Sequence, residues 1–361
     1  MKKLLALVVL TSLLIGVMPA VLASSVGNGL VPNIGTEDFP PLVWMCGDRV
    51  VSDDSTEPGR ISEGGAPLLE RLNNYAFEGE SVQWTVLVMD KNGINKVEDV
   101  FATIGDAQGA GNEIQVNCVE DLRQQTILDS CDARILEEKI VEFKPSIMRY
   151  YTCTLTVETP ESMYGEYWVT VEAVDLDGES GTMAENEYWF FNPVIALSVD
   201  GAMDYENVRA GTASYSQTIL VGNDADAGSG VMLDMFISGT DFYDSSSSGA
   251  MCPTSNVLDL DAFSYFATNG AYSSKTDAQS NRVCDAEGYC GINYGIGFND
   301  PTPFYNSHEI LQAGPMLGGV YYGANVLAPG AEMALTFKLL LPEPCNGDFD
   351  SGSIYFWGEA I

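Results

Sequence analysis

The sequence predicts an all-β protein built from two tandem β-sandwich domains. Short segments that alternate apolar and polar residues recur along the chain, whereas helical periodicity is nearly absent. Between Glu80 and Asn192 these segments are separated by turns at roughly the spacing of an immunoglobulin-like sandwich. A second series with a similar opening follows Pro193, and the eight cysteines divide four and four between the two series. We therefore predict immunoglobulin-like domains at residues 42–193 and 194–361.

The N-terminus has the pattern of a secretory signal peptide. Two lysines precede an apolar run, and Val21–Ala23 places short residues where signal peptidase cleaves. We predict a signal peptide at residues 1–23, cleaved after Ala23, and an N-terminal tail at residues 24–41. The alternative is an uncleaved anchor, because the apolar run is long enough to span a bilayer; Pro19, shortly before the cleavage site, favours cleavage. No second run of that length follows, so we expect an exported protein, extracellular or at the cell surface, with no membrane insertion after cleavage.

Alternation defines the strands of the first predicted domain. In the segment SVQWTVLVMDKNG, four apolar residues share one face before Asn-Gly ends the strand, and we expect this face in the core: Val82, Trp84, Val86 and Val88. Further strands are predicted in VEDVFATIGD, IQVNC, YYTCTLTVET, GEYWVTVEAV and ENEYWFFNP. The exception is Asp121–Ile140, which is predicted to hold a helical turn or two within an insertion.

The second predicted domain contains a long region without clear strands. Alternating segments occur in IALSVDG, SYSQTILVGND, SGVMLDMFISGTDF, EMALTFKLLLP and SIYFWGEAI. The region between Asp244 and Tyr322 is rich in Ser, Gly and Asn and too long for a simple loop, so we predict an insertion of short strands and turns at about residues 244–322. The final segment is predicted to be a strand that buries Ile354 and Phe356.

All eight cysteines are predicted to form disulfides. An exported protein meets an oxidising environment, and no C-x-x-C pair indicates a zinc or redox site. Cys153 lies on the apolar face of its strand, so a partner across the sandwich is expected, and Cys46 is our choice. Two other pairs close local loops, and the last follows by elimination. Sequence alone leaves other pairings open, but the predicted set is Cys46–Cys153, Cys118–Cys131, Cys284–Cys290 and Cys252–Cys345.

The charge of the chain limits its partners. There are 16 Lys and Arg residues against 51 Asp and Glu residues, which gives a formal net charge of −35. Such a surface repels nucleic acid and anionic membranes, so neither is an expected partner. The hydrophobic content of 46% is ample for a folded core, so the acidic residues form the coat of a globular protein.

The sequence lacks the residues of common catalytic centres. His308 is the only histidine, no G-x-S-x-G motif is present, and every cysteine is assigned to a disulfide. A two-carboxylate glycosidase stays open as an alternative, but 51 acidic residues always offer some suitable pair. We therefore predict that the protein is not an enzyme and has no cofactor, with calcium as the one candidate.

Three acidic segments are candidate calcium sites. In DLDGESG, carboxylates alternate around a glycine, as in loops that bind hard cations; the alternative is a plain hairpin turn, which Asp-Gly also favours. Similar clusters occur in GNDADAGSG and CNGDFDSGS. None has the full spacing of an EF-hand, so weak sites are expected. The candidate ligands are Asp175, Asp177, Glu179, Asp224, Asp226, Asn346, Asp348 and Asp350.

Two stretches carry a resemblance to a known group of proteins. The segment from NNYAFEGESVQWTVLVMDKNG to AENEYWFFNP, and the terminal LPEPCNGDFDSGSIYFWGEAI, resemble exported immunoglobulin-like surface proteins of small-genome archaea, including surface-layer proteins. The resemblance covers most of the mature chain. It implies a non-enzymatic protein arrayed on the cell surface.

Three functions follow as hypotheses. The first is a structural surface protein whose copies self-assemble into a surface-layer-like lattice, aided by divalent cations. The second is a subunit of an extracellular filament, in which the N-terminal tail donates a strand to a neighbouring copy. The third is a carbohydrate-binding or adhesion module, for which exposed tryptophans would supply stacking surfaces. For the first two, the expected partners are copies of the chain itself.

Overall fold

The computed structural model describes residues 33–46, 50–52, 74–131, 135–185, 187–246, 249–276, 283–295, 308–311 and 324–361. The predicted signal peptide and part of the predicted tail lie outside the described residues. Met1–Asp38 and Phe39–Ile361 are separate units, and residues 33–38 of the first are exposed and without regular secondary structure. Among the described residues, no helix is long and apolar enough to cross a bilayer.

Strands dominate the described chain, as the sequence predicts. Residues 42–191 contain ten: β1 Leu42–Met45, β2 Val50–Ser52, β3 Tyr75–Ala76, β4 Ser81–Met89, β5 Val97–Gly105, β6 Ile114–Asp121, β7 Met148–Thr156, β8 Gly165–Asp175, β9 Ser180–Thr182 and β10 Glu187–Phe191. Short 3-10 helices lie between some strands: Ile94–Lys96, Asp129–Cys131, Leu136–Glu138 and Leu260–Ala262. The second and third of these occupy the segment predicted to hold helical turns.

The first ten strands form two layers joined through β6. The sheet order is β1-β4-β7-β6-β5-β8-β10-β3, with β2 paired to β4 and β9 to β8. The first half of β6 pairs with β5 and its second half with β7, so the chain of hydrogen bonds passes from one layer to the other. The inner faces enclose what we call the first core. It contains the four residues of β4 that alternation placed inside, Val82, Trp84, Val86 and Val88.

A smaller outer core lies on the opposite face of β1, β4 and β7. Strand alternation directs Trp44, Leu87 and Tyr150 to this face, where the segment between β6 and β7 covers them. That segment contributes Cys131 and Ile135, both buried. The strands β1, β4 and β7 are therefore apolar on both faces, which explains why β4 ends in the continuous run Val86–Met89.

The outer core corrects two predicted disulfides. The bonded pairs in this half are Cys46–Cys131 and Cys118–Cys153, so the predictions Cys46–Cys153 and Cys118–Cys131 are wrong. Cys46 and Cys153 lie on opposite faces of the sheet, one in the outer core and one in the first core, and cannot meet. Cys118 instead lies directly opposite Cys153 in the pairing of β6 with β7.

The remaining strands belong to residues 197–360. They are β11 Leu197–Asp200, β12 Ala213–Asn223, β13 Leu233–Gly239, β14 Phe242–Tyr243, β15 Val257–Leu258, β16 Phe263–Asn269, β17 Tyr272–Ser273, β18 Cys290–Gly291, β19 Val326–Leu327, β20 Glu332–Leu340 and β21 Ile354–Ala360. One sheet has the order β11-β12-β20-β16-β17 with β18 paired to β16, and a second has the order β19-β13-β21. Their inner faces enclose the second core, which includes Leu233, Tyr265, Leu335 and Phe337.

The predicted insertion at about residues 244–322 contains more regular structure than expected. β16 lies between β20 and β17 and pairs with β20 over six residue pairs. Its residues Phe263, Tyr265 and Ala267 are buried in the second core. The Cys252–Cys345 disulfide attaches this region to the segment before β21. The Cys284–Cys290 disulfide closes a turn within the region.

The C-terminal segment forms a strand, with less burial than expected. β21 pairs with β13 along its whole length, from Ile354 opposite Gly239 to Ala360 opposite Leu233. Ile354 and Phe356 pack against the second core but are only partly buried, because β21 is the last strand of its sheet in the described structure.

The two groups of strands contact each other through a few specific groups. Tyr75 of β3 belongs to the second core although its neighbour Ala76 belongs to the first, and the Tyr75 hydroxyl donates to the carbonyl of Ile361. The Tyr164 hydroxyl donates to the carboxylate of Asp226 over 2.9 Å. These contacts connect residues that are far apart in the sequence.

Candidate functional site

The first candidate calcium segment, DLDGESG, forms the hairpin turn between β8 and β9. The Asp175 side chain is buried, and its carboxylate accepts the backbone N–H groups of Asp177 at 3.0 Å and Glu179 at 2.8 Å. The Asp177 carboxylate forms a surface ion pair with Lys96. Two of the three predicted ligands are therefore engaged by groups of the chain itself, and the Glu179 side chain is exposed.

The same turn occurs three times in the described structure. Each begins with an aspartate and has a glycine three residues later, as in Asp90–Gly93, Asp175–Gly178 and Asp285–Gly288. In each, the carboxylate accepts the N–H of the residue two positions later, and the glycine N–H donates to the aspartate carbonyl. The three glycines have φ values of 126°, 86° and 95°, a region that favours glycine. The recurrence shows that the chain's own backbone N–H groups can occupy an aspartate carboxylate in such a turn.

Substitution of Asp175 separates its role in the turn from calcium binding. Asp175→Ala removes two hydrogen bonds to a buried carboxylate, and we expect a loss of about 2 kcal/mol in the free energy of unfolding. The loss should be equal in excess calcium and in excess chelator, as measured by denaturant unfolding. Asp177→Ala is the matched control, because its exposed ion pair contributes less than about 1 kcal/mol. If Asp175→Ala lowers stability only in calcium, DLDGESG is a calcium loop.

The second segment, GNDADAGSG, lies after β12 and contacts the first group of strands. Asp226 accepts hydrogen bonds from the Tyr164 hydroxyl and from the Val194 N–H, both at 2.9 Å. Asn223 is fully buried, and its side chain donates to the carbonyls of Val231 and Leu327. Asp226 therefore connects the two groups of strands, whereas Asp224 has an exposed side chain.

The third segment, CNGDFDSGS, is held against the start of the predicted insertion. The Asp350 carboxylate accepts the N–H of Ser245 at 3.0 Å and its hydroxyl at 2.8 Å. These two bonds lower the pKa of Asp350 below its ordinary value. The N–H of Asp348 donates to the carboxylate of Asp244, and Asn346 pairs with Met251 through the backbone.

The structure does not gather the predicted ligands into one centre. Across the described residues, no group of three His, Cys, Asp or Glu side chains lies close enough to hold a metal ion. His308 is buried, and it also belongs to no such group. Calcium binding by these segments stays a prediction.

The turn closed by the predicted Cys284–Cys290 disulfide contains an ion-pair cluster that sequence reasoning missed. Its Asp285 and Glu287 carboxylates bind the ammonium group of Lys338 on β20, at 2.6 and 3.3 Å, and that group lies 5.3 Å from the ring centre of Tyr289. Burial alone would raise the pKa of Asp285, but the hydrogen bonds from Lys338, Tyr289 and Glu287 outweigh it and lower the pKa. The recurring D-x-x-G spacing was the signal that could have identified this turn.

The tryptophans do not form one surface. Trp44, Trp84 and Trp189 are buried. Trp168 lies against Tyr188, with ring centres 5.6 Å apart, on the outer face of β8 and β10. Trp357 on β21 is 47% exposed, in the other group of strands. A sugar-binding platform made of several tryptophans is therefore not present in the described structure.

Comparison with known proteins finds structural similarity alone. The C-terminal domain of the AgI/II polypeptide BspA from Streptococcus agalactiae matches at 9% identity, with a TM-score of 0.31, over 89% of this chain and 97% of that chain. The chain described as BspA_C_mut matches at 10% identity and the same TM-score, over 90% of this chain and 97% of its own. No protein family and no curated protein matches the sequence. Similarity at this level assigns neither a family nor a function to the chain.

Proposed function

We propose that the chain is an exported structural protein of the cell surface, whose copies assemble into a surface-layer-like lattice with divalent cations between them. We also propose that its strands form two tandem immunoglobulin-like domains, residues 42–193 and 194–361. The observation that carries the functional proposal is the combination of a fully cross-linked β structure with a strongly acidic surface. No cysteine is free, which is typical of proteins that work in an oxidising environment outside the cytoplasm.

The charge makes assembly dependent on cations. With a net charge of −35, two copies repel each other wherever their surfaces approach, and salt screens only charges farther apart than about 8–10 Å. Carboxylates that meet at an interface therefore need counter-ions between them. In the described residues no three acidic side chains of one chain lie close enough to hold a metal ion, so we propose that copies share the calcium sites. Such incomplete sites should bind weakly, at roughly 10⁻⁴–10⁻³ M.

The two alternative functions, filament subunit and adhesion module, predict a different state of assembly. A filament subunit forms fibres through a donated strand. An adhesion module stays monomeric and binds a glycan, for which the contact between the partly buried Trp168 and the exposed Tyr188 is the observation in favour.

Electron microscopy of the purified chain from Ser24 to Ile361 tests the proposal. We expect two-dimensional sheets in the presence of calcium. Fibres would replace the proposal with the filament hypothesis. Particles that stay monomeric at every calcium concentration would exclude both the lattice and the filament and would leave the adhesion module as the remaining hypothesis.

A further inference from the structure

The second group of strands contains an open cavity of about 570 Å³. It lies where the loop after β11 meets the ends of β16 and β20 and the turn that follows Cys345. A volume of several hundred cubic ångströms is typical of sites for small molecules. Two candidate calcium ligands, Asn346 and Asp348, lie among its lining residues, but none of the functions discussed above uses its aromatic side chains.

Aromatic side chains form part of the cavity wall. Four aromatic rings line the cavity, and three of them pack together. The ring centre of Phe242 lies 4.8 Å from that of Phe263, and the ring centre of Tyr205 lies 6.1 Å from it. The planes are inclined to Phe263 by 39° and 64°, so the ring faces point in different directions. The fourth ring, Phe349, is partly buried against the second core. Phe242 and Phe263 are buried, so the partly buried Tyr205 and Phe349 are the more accessible rings.

The charged residues of the cavity are acidic. Exposed carboxylates of Glu206 and Asp348 lie at its rim, together with the amides of Asn207 and Asn346. No Lys or Arg is among the described residues that line it. Burial raises the pKa of the Tyr205 hydroxyl above its ordinary range, so this ring stays uncharged. An anionic ligand would therefore meet two carboxylates and no basic side chain.

We propose that this cavity binds a small free alkylammonium cation, such as a trimethylammonium compound. The faces of aromatic rings attract a cation, and a methylated ammonium group is weakly hydrated and apolar enough to leave water for such a wall. The carboxylates at the rim add long-range attraction in a chain that is itself strongly acidic. This inference goes beyond the proposed assembly and does not depend on it.

The rim also distinguishes two sources of the same cation. In a phosphocholine head group, a phosphate lies next to the trimethylammonium group, and Glu206 and Asp348 would repel it. We therefore expect free choline to bind more tightly than phosphocholine, and vesicles of phosphatidylcholine not to bind. Tighter binding of phosphocholine or of the vesicles would overturn the assignment to a free cation.

The direct test compares choline with its neutral analogue 3,3-dimethyl-1-butanol, which has a carbon atom in place of the nitrogen. Binding to the chain from Ser24 to Ile361 is measured by calorimetry and by NMR of the ligand. We expect choline to bind threefold to thirtyfold more tightly than the alcohol, or about 0.5–2 kcal/mol. Equal binding would show an ordinary apolar cavity, and no binding of choline up to about 20 mM would show no site. Either result overturns the proposal.

Variants locate the binding. Phe349→Leu keeps an apolar side chain but removes a ring, so choline should bind about threefold to tenfold more weakly while the alcohol is unaffected. Glu206→Gln should weaken choline binding at low salt. The matched controls are Tyr355→Leu and Glu166→Gln, whose side chains are exposed and do not line the cavity. Circular dichroism checks that each variant is folded. Equal effects of control and cavity variants would contradict the site.

Discussion

Deletion of Ser353–Ile361 is expected to unfold the part of the protein that contains the second core. β21 pairs with β13 along all seven of its residues, and Ile354, Phe356 and Ala360 pack against that core. Loss of a whole strand at about 1 kcal/mol per hydrogen bond, together with its apolar contacts, is comparable with the entire stability of a domain, about 5–15 kcal/mol. Deletion would also leave one edge of β13 unpaired.

Thermal unfolding followed by circular dichroism measures this effect. The matched control is Tyr355→Ala on the same strand, because the Tyr355 side chain is exposed and faces away from the second core. The control should change stability by about 1 kcal/mol or less. A truncated protein with the thermal stability of the full chain would show that β21 is a free arm available to a partner.

Trp84→Ala is expected to destabilise the other group of strands by about 3–5 kcal/mol. Trp84 is almost fully buried in the first core and lies opposite Cys153 in the pairing of β4 with β7. Truncation leaves a large cavity between two layers whose backbones are restrained by hydrogen bonds and by the Cys118–Cys153 disulfide. The surrounding side chains can therefore fill the space only in part.

Calorimetry of Trp84→Ala also tests the proposed division into two domains. The control Trp357→Ala removes a ring that is 47% exposed and should cost much less. We expect Trp84→Ala to shift the unfolding of residues 42–193 and leave that of residues 194–361 largely in place. A single transition that both Trp84→Ala and the deletion shift together would show one cooperative unit, with Tyr75 and Asp226 among the contacts that join its parts.

Strand positions could be predicted because alternation records burial directly. The inward face of β4 was read from four residues at period two, and all four are buried in the first core. β16 was not predicted because its alternation is short. Its alternating residues Phe263, Tyr265 and Ala267 are only three, and they lie in a region rich in Ser, Gly and Asn, so composition concealed the strand.

The pairing of Cys46, Cys118, Cys131 and Cys153 could not be predicted, because it depends on which strands are neighbours. Cys153 does face the first core, as expected, but its partner is across the β6 and β7 pair and not across the sandwich. That choice follows from the position of β6 between two layers. Cys46 lies on the opposite face of the sheet, because successive residues of a strand point to opposite faces. The segment that covers Cys46 shows no periodic pattern of apolar residues.

The acidic segments illustrate a different limit. A carboxylate that binds calcium and one that accepts backbone N–H groups at a turn occur in the same sequence pattern. Asp175 and Asp350 accept such bonds, which only the coordinates reveal. The cavity near Phe263 was equally hidden, because its walls come from five separate stretches of chain.

The most direct test of the proposed assembly is sedimentation of the purified chain at increasing calcium, followed by excess chelator. Cations between like-charged copies should promote assembly more than they stabilise the single chain. We predict large particles in calcium that dissolve in chelator, with an unchanged circular dichroism spectrum, because four disulfides and the apolar cores stabilise the single chain. Assembly that proceeds equally well in excess chelator at low ionic strength would contradict the role of calcium.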